Sequence, residues 1–379
     1  MSQIISYRGS GFVILAAAVN KVKNTMTIDV IDAEQANVEI SDAERVSELD
    51  LARANALKPV NPPLVTNMYT ADPSAHVFNG KIYIYPSHDV DNGQPLNDNG
   101  DHFDMRDYHV YSLERPQGLV TDHGNALDVK DVPWAERQMW APDAAEKDGK
   151  YYLYFPARDY DGIFRIGVAV GNAPEGPFVP EAKPIEGSFS IDPAVLQDDD
   201  GAYYIYFGGL WGGQLQNWRN GEFGEEVFPA DDQPALKPIV AKLSDDMLQF
   251  AESPLEIDIL DEQGNLLVAG DNDRRYFEGP WVHKYQGKYY LSYSTGDTHK
   301  IVYATSDSPY GPFTYQGVIL EPVLGWTTHH SICEFEGKWY LFYHDSSLSG
   351  GQTHLRSIKM SELHYDEDGR IQTIKPYYD

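Results

Sequence analysis

Cysteine is almost missing from this chain of 379 residues: Cys333 stands alone, in the apolar run SICEF. An internal disulfide framework is therefore excluded, and a buried structural thiol is expected there. Basic residues are scarce too, with 29 Lys and Arg against 58 Asp and Glu, a formal charge of −29. Such a surface repels phosphate backbones and anionic membranes, so neither nucleic acid nor a membrane is expected as a partner. A neutral sugar or a cation site is compatible with it. No apolar run approaches the ~20 residues needed to span a bilayer. The longest candidate, GFVILAAAV at 11–19, follows one Arg and reads as a poor signal peptide or, preferably, as an N-terminal strand. The cytoplasm is thus the expected location, with secretion as the other option.

What the chain has in quantity is aromatic side chains. They make up 13% of it, including 26 Tyr, and the tyrosines gather in short β-like runs. Aromatic and β-branched residues suit a pleated, half-buried surface, so an all-β fold is expected. Five segments repeat one plan of acidic residue or His, short apolar strand, Gly-centred turn and Tyr-rich strand. They are ADPSAHVFNGKIYIYPSHD from Ala71, APDAAEKDGKYYLYFPARD from Ala141, IDPAVLQDDDGAYYIYFGG from Ile191, EGPWVHKYQGKYYLSYSTG from Glu278 and HHSICEFEGKWYLFYHDSS from His329. NGK, DGK, DDG, QGK and EGK supply the positive-φ residues of a tight hairpin. VAVGNAPEGPFVP (168–180) and VYATSDSPYGPFTYQG (302–317) add a third strand, a Gly-Pro turn and a fourth strand. A hairpin plus two strands, repeated radially, describes a five-bladed β-propeller. Uneven repeat spacing puts insertions in loops such as 210–235 and 89–107.

Residues 1–60 differ in kind. Ser41-Asp42-Ala43-Glu44 fits a capping box, and Val46, Leu49, Arg53 and Leu57 share a helical face before Pro59. The expected division is a short N-terminal extension containing a helix (1–60) and a propeller catalytic domain (61–379).

The innermost strand of a blade starts beside the central channel, and the equivalent starts here are Asp72, Asp143, Asp192, Glu278 and His329. Singly, an Asp before Pro caps a turn. Together, carboxylates in one funnel raise one another's pKa, which keeps a general acid protonated near neutrality.

The segments TADPSAHVFNGKIYIYPSHD, MWAPDAAEKDGKYYLYF, SIDPAVLQDDDGAYYIYFGG, YFEGPWVHKYQGKYYLSYS and TTHHSICEFEGKWYLFYHD, in order from about Asn61 to Ile374, resemble glycoside hydrolase family 43, in its β-xylosidase and α-L-arabinofuranosidase branch. The resemblance implies inverting hydrolysis of xylo-oligosaccharide or arabinoxylan fragments. It makes Asp72 the general base, Glu278 the general acid, and Asp192 the carboxylate that orients and tunes the acid. Inversion calls for the two carboxyls to stand about 6.5–9.5 Å apart with a water between them. His329 matches the family's channel histidine, implying calcium or another divalent cation; read alone it is a hydrogen-bonded core His. Asp143 shares the phase but not the triad, and reads as structural or substrate-adjacent. Trp140 is either a stacking face for a pyranose or a core Trp between blades. Trp211, within GGLWGG, is placed at the rim. Arg356 matches an arginine that contacts the sugar in relatives, with a surface Arg as the other reading. Loop 89–107 fails the EF-hand spacing and reads as a solvated rim loop. Exo-acting β-xylosidase activity with release of α-L-arabinofuranosyl groups is the leading reading; the rivals are α-L-arabinofuranosidase or endo-arabinanase as the main activity, a fructan-cleaving relative (disfavoured by Ala71-Asp72-Pro73 where Asn-Asp-Pro is expected) and a non-catalytic sugar-binding propeller.

Overall fold

In the computed structural model the described residues are 57–378, together with the backbone of three strands in the extension. The chain separates into two compact units, Met1–Glu48 and Leu49–Asp379. In the first, β1 (Gln3–Ser6), β2 (Leu15–Val22) and β3 (Thr25–Asp32) form an antiparallel sheet in that order. β2 takes in the second half of the 11–19 run. The expected helix at 41–58 lies, except for its last two residues, outside the described residues.

The second unit is a five-bladed β-propeller. Blade 1 is a meander of β4 (Tyr69–Phe78), β5 (Lys81–Asp89), β6 (Asp107–Leu113) and β7 (Val120–Asp128). Blade 2 contains β8 (Ala135–Arg137), β9 (Asp143–Lys147), β10 (Lys150–Asp159), β11 (Phe164–Gly171) and β12 (Val179–Pro180). Blade 3 contains β13 (Ala194–Gln197) and β14 (Tyr203–Phe207). A small outlying ribbon, β15 (Trp218–Arg219) with β16 (Glu222–Phe223), precedes the blade's outer strands β17 (Ile239–Lys242) and β18 (Leu255–Glu256). After β19 (Ile259–Leu260), blade 4 runs through β20 (Glu278–Tyr285), β21 (Lys288–Ser294), β22 (Ile301–Ser306) and β23 (Phe313–Leu320). Blade 5 has β24 (His330–Phe335), β25 (Lys338–Asp345) and β26 (Ser357–Leu363). The hairpin turns predicted from the sequence join the first two strands of each blade, and Gly80, Gly149, Gly201, Gly287 and Gly337 all take positive φ there.

Period-2 alternation in these strands sends side chains to both blade faces, so the core is a series of apolar layers between neighbouring blades. Tyr83, Tyr85, Leu153 and Phe155 fill the layer between blades 1 and 2. Tyr290, Tyr303, Leu341 and Tyr343 do the same between blades 4 and 5. Cys333 is buried with Ile84, Phe335 and Phe342 between blades 5 and 1, and burial pushes its thiol up to about 12, as expected of an inert structural thiol.

Blade 5 has three strands of its own, and the chain leading into β4, with the first residues of β4 itself, covers its outer edge. Leu64 N–H donates to Ile358 carbonyl at 2.8 Å and Thr70 N–H to Arg356 carbonyl at 2.9 Å. The C-terminal tail is pinned from inside the same blade. Lys359 Nζ donates to Asp345 Oδ2 at 2.7 Å, both side chains being wholly buried. Tyr377 hydroxyl donates to that oxygen at 2.8 Å and accepts from Leu324 N–H at 2.7 Å. Asp345→Ala would strand a buried ammonium, and the expected loss of stability is about 3–5 kcal/mol in denaturant unfolding. A loss below about 1 kcal/mol would mean that Lys359 finds another partner.

Candidate active site

The blade starts do converge at one end of the channel, and local backbone geometry aims them. β-Bulges interrupt pairing between Ala71 and Ser74 in β4 and between Glu278 and Trp281 in β20. A bulge bends the strand and re-aims a side chain. Asp72 (φ 50°) and Asp192 (φ 59°) are both left-handed, a conformation that Asp tolerates better than most residues. Next to Glu278, Gly279 has φ 63°, and a Cβ there would lie 3.0 Å from the His329 ring, so the glycine of the FEGP motif is fixed both by conformation and by that close approach.

Asp72 is 5% exposed and held from three sides. Its Oδ1 accepts from Arg356 Nη1 at 3.0 Å and its Oδ2 from Ser87 Oγ at 2.7 Å. Its backbone N–H donates to His344 Nδ1 at 3.0 Å. Because Nδ1 accepts, the His344 proton sits on Nε2, which donates to the Thr327 carbonyl at 3.0 Å. Burial, followed by the Arg356 charge, holds His344 at about 3, so it is a neutral prop despite standing 3.4 Å from Asp72 Oδ1. Burial works to raise the Asp72 pKa. Arg356, the neighbouring imidazoles and the Ser87 hydroxyl outweigh it and hold Asp72 below the ordinary carboxylate value, as an anion. Those bonds use two of roughly four acceptor positions on the carboxylate, leaving room for a water.

Arg356 is 3% exposed, so the surface reading is corrected. Its Nε and Nη2 make a fork to Asp89 Oδ2 and Oδ1 at 2.9 and 2.7 Å, and Phe103 stacks under the guanidinium at 4.8 Å. It stands behind Asp72 as a fixed cation. Nη1 also donates to Thr327 Oγ1 at 3.1 Å.

Asp192 and half-buried Glu278 behave oppositely to Asp72. Asp192 Oδ2 accepts from Gly279 N–H at 2.9 Å, which ties it to the residue after Glu278. Burial, then the charges of Glu278 and Asp72, push Asp192 well above the usual range. Burial, then the Asp72 charge, push Glu278 up to about 8. The two titrate as a pair that retains protons near neutrality.

His329 lies at the same point of the channel. Its Nε2 is 3.9 Å from Asp192 Oδ2, and neither ring nitrogen has a hydrogen-bond partner although both are buried. The hydrogen-bonded-core reading therefore does not hold. Burial lowers its pKa, so the ring offers a free lone pair. Orphaned imidazole nitrogen beside a carboxylate fits a divalent cation whose shell is completed by water.

Asp143 is spent elsewhere. Its Oδ1 accepts from His76 Nε2 at 2.6 Å and from Ser74 Oγ, and its Oδ2 from Val195 N–H, so it staples blades 1, 2 and 3. Trp140 is 9% exposed, packs on Phe103 and Phe164, and donates its Nε1–H to Phe103 carbonyl at 2.8 Å. Of its two readings, core packing describes it, and a sugar-stacking face does not. Trp211 is half-buried and stacks on Trp326 with centroids 4.9 Å apart, Phe277 meeting both edge-on. Loop 89–107 is more than a solvated rim, since His102 and Met105 are buried and Phe103 reaches Arg356.

Sequence reasoning missed Ser87, Asp89, Thr327, His344, Phe103 and Trp326. One signal was available: the second strands of blades 1 and 5 both end in His-Asp, at 88–89 and 344–345.

Known proteins resemble this chain over most of its length. Glycosyl hydrolases family 43 matches as a sequence profile over residues 61–371. A xylosidase/arabinosidase of Humicola insolens is 64% identical over 327 residues, covering 83% of this chain and 99% of the relative. A xylosidase/arabinosidase of Bacteroides ovatus is 62% identical, covering 82% and 97%. The crystal structure of a β-xylosidase/α-arabinofuranosidase from a compost microbial metagenome, bound to xylotriose in a calcium-free form, superposes with a TM-score of 0.83 at 67% identity, covering 85% of this chain and all of that one. A Xanthomonas citri enzyme complexed with xylotriose superposes at 0.82 and 62% identity, covering 88% and 98%. The chain belongs to glycoside hydrolase family 43.

Proposed function

We propose that this glycoside hydrolase is an inverting exo-β-xylosidase that also releases α-L-arabinofuranosyl groups. The observation that carries the reading is the opposition of two carboxyl environments in one funnel. Asp72 is pinned as an anion by Arg356, while Glu278 and Asp192 are pushed to hold protons. That pairing is what general acid–base hydrolysis of a glycoside needs.

Asp72 accepts a proton from water as the water oxygen attacks the anomeric carbon. Glu278 delivers its proton to the glycosidic oxygen as the carbon–oxygen bond breaks, and the sugar leaves with its configuration inverted. Asp192, bonded to the Gly279 amide, fixes the turn that aims Glu278 and supports its proton retention. Asp89 and Arg356 position Asp72. The Trp211–Trp326–Phe277 cluster offers an aromatic wall for a pyranose. His329 would hold a calcium or similar divalent ion with water, supplying fixed positive charge at the channel. β-D-Xylopyranose and α-L-arabinofuranose place similar hydroxyls around the anomeric carbon, which supports dual activity, and three relatives at 56–64% identity carry xylosidase names. A non-catalytic sugar-binding propeller has no use for this pairing of carboxyls.

Side-by-side hydrolysis of aryl β-D-xylopyranoside and aryl α-L-arabinofuranoside, with Glu278→Gln as control, tests the reading. Turnover of both, lost in the control, is expected; turnover of neither would sink it. Stripping divalent ions is expected to lower turnover of the parent chain and to leave His329→Ala unaffected. Full activity of the parent in excess chelator would remove the ion from the account.

A further inference from the structure

Beside the funnel, blade 1 carries a second cluster that hydrolysis does not use. In the register of β5 with β6, Ser87 faces Tyr108, and both turn inward. The neighbouring pair, His88 and Asp107, therefore shares the opposite face, and alternation brings His109 to it as well. Ligand-capable atoms of His88, Asp107 and His109 all lie within 4.8 Å of one another. The three side chains are only 17–21% exposed.

The hydrogen bonds leave one imidazole nitrogen of His109 over. His109 Nδ1 is hydrogen-bonded to Asp122 Oδ1 at 3.2 Å. His109 Nε2 is left facing Asp107 Oδ2 at 3.9 Å, beyond hydrogen-bonding distance. Asp107 is itself oriented: Oδ2 accepts from Asn125 Nδ2 at 2.8 Å, and Oδ1 pairs with His88 Nδ1 at 2.6 Å. Two zinc ligands at about 2.0–2.2 Å and a tetrahedral angle stand about 3.4 Å apart, so the Nε2–Oδ2 gap is within a few tenths of an ångström of what an ion requires. His88 Nδ1 and Asp107 Oδ1, now 2.6 Å apart, stand closer than two ligands of one ion, so binding opens that pair by several tenths of an ångström. Asp122 on His109 and Asn125 on Asp107 are the outer partners that orient metal ligands in established sites.

We propose that His88, Asp107 and His109 form a second metal site, for a borderline divalent transition ion of the zinc class. Water completes the shell. Two imidazoles and one carboxylate suit such an ion, whereas calcium takes oxygen ligands. The site is separate from the channel around His329 and does not depend on the hydrolytic reading. It adjoins Asp89, whose carboxylate holds Arg356, so an ion there stiffens the strand end behind the funnel.

The test is titration of the chelator-stripped full chain, without an affinity tag, with Co2+ as spectroscopic probe and Zn2+ as competitor. His329→Ala is the background, so that any binding in the channel is removed. One equivalent of Co2+ with ligand-field absorption, displaced by Zn2+, is expected. Adding His109→Ala, or His109→Gln should the alanine variant unfold, is expected to weaken binding at least about 100-fold. Asp122→Asn, which keeps all three ligands, should weaken it about 10–100-fold. No Co2+ bound in the His329→Ala background, or unchanged affinity once His109 is replaced, would overturn the site and leave the cluster as a balanced set of His–Asp ion pairs.

Discussion

Glu278→Gln is expected to lower turnover of xylobiose by about 10²–10⁴-fold, the usual contribution of a positioned acid. An aryl xyloside with a good leaving group should lose far less, because its oxygen departs with little protonation. The pH profile carries the same assignment. Glu278 is effective only while protonated, and burial with the Asp72 charge raises it to about 8. Activity of the parent chain should thus fall as pH rises through about 8. Asp72 must be ionised and is held below the usual carboxylate value, so the acid limb should lie below the ordinary Asp range. The variant should lose the alkaline limb on the aryl substrate. Equal losses on both substrates would count against Glu278 as the acid.

Asp72→Asn is expected to cost as much, about 10²–10⁴-fold, but without regard to leaving group, since water must be activated in either case. It also removes a negative charge that raises the Glu278 pKa, so any residual activity should have its alkaline limb at lower pH. Arg356 would keep its fork to Asp89, so gross unfolding is not the expected cause. Assaying both variants across one leaving-group series separates the roles. A steep leaving-group dependence in Asp72→Asn and a flat one in Glu278→Gln would reverse the assignment.

The five Gly-centred hairpins were legible because turn chemistry and period-2 patterning are local, and they repeat. Asp72, Asp192, Glu278 and His329 were legible because their blades repeat in phase. Phase alone could not tell Asp143 apart. Its carboxylate is consumed by Ser74, His76 and the Val195 amide, partners that only closure of the ring brings together. Arg356 was found, but its work was not, since Asp89 lies 267 positions away in sequence. Trp140 resisted reading because a large aromatic serves equally as ring platform or as core wedge, and its Nε1 bond to Phe103 decides. The cover over the edge of blade 5 comes from Leu64, in a stretch with no strand pattern of its own, and from Thr70 at the start of β4, a blade 1 strand whose pattern does not show its second partner.

Inverting hydrolysis requires water to reach the anomeric carbon from the Asp72 side while Glu278 protonates the opposite side. Proton NMR of xylobiose hydrolysis, read before the product mutarotates, tests this most directly. The expected result is that α-xylose appears first from the non-reducing end. First appearance of β-xylose would mean retention and a different use of these carboxylates, and it would contradict the account.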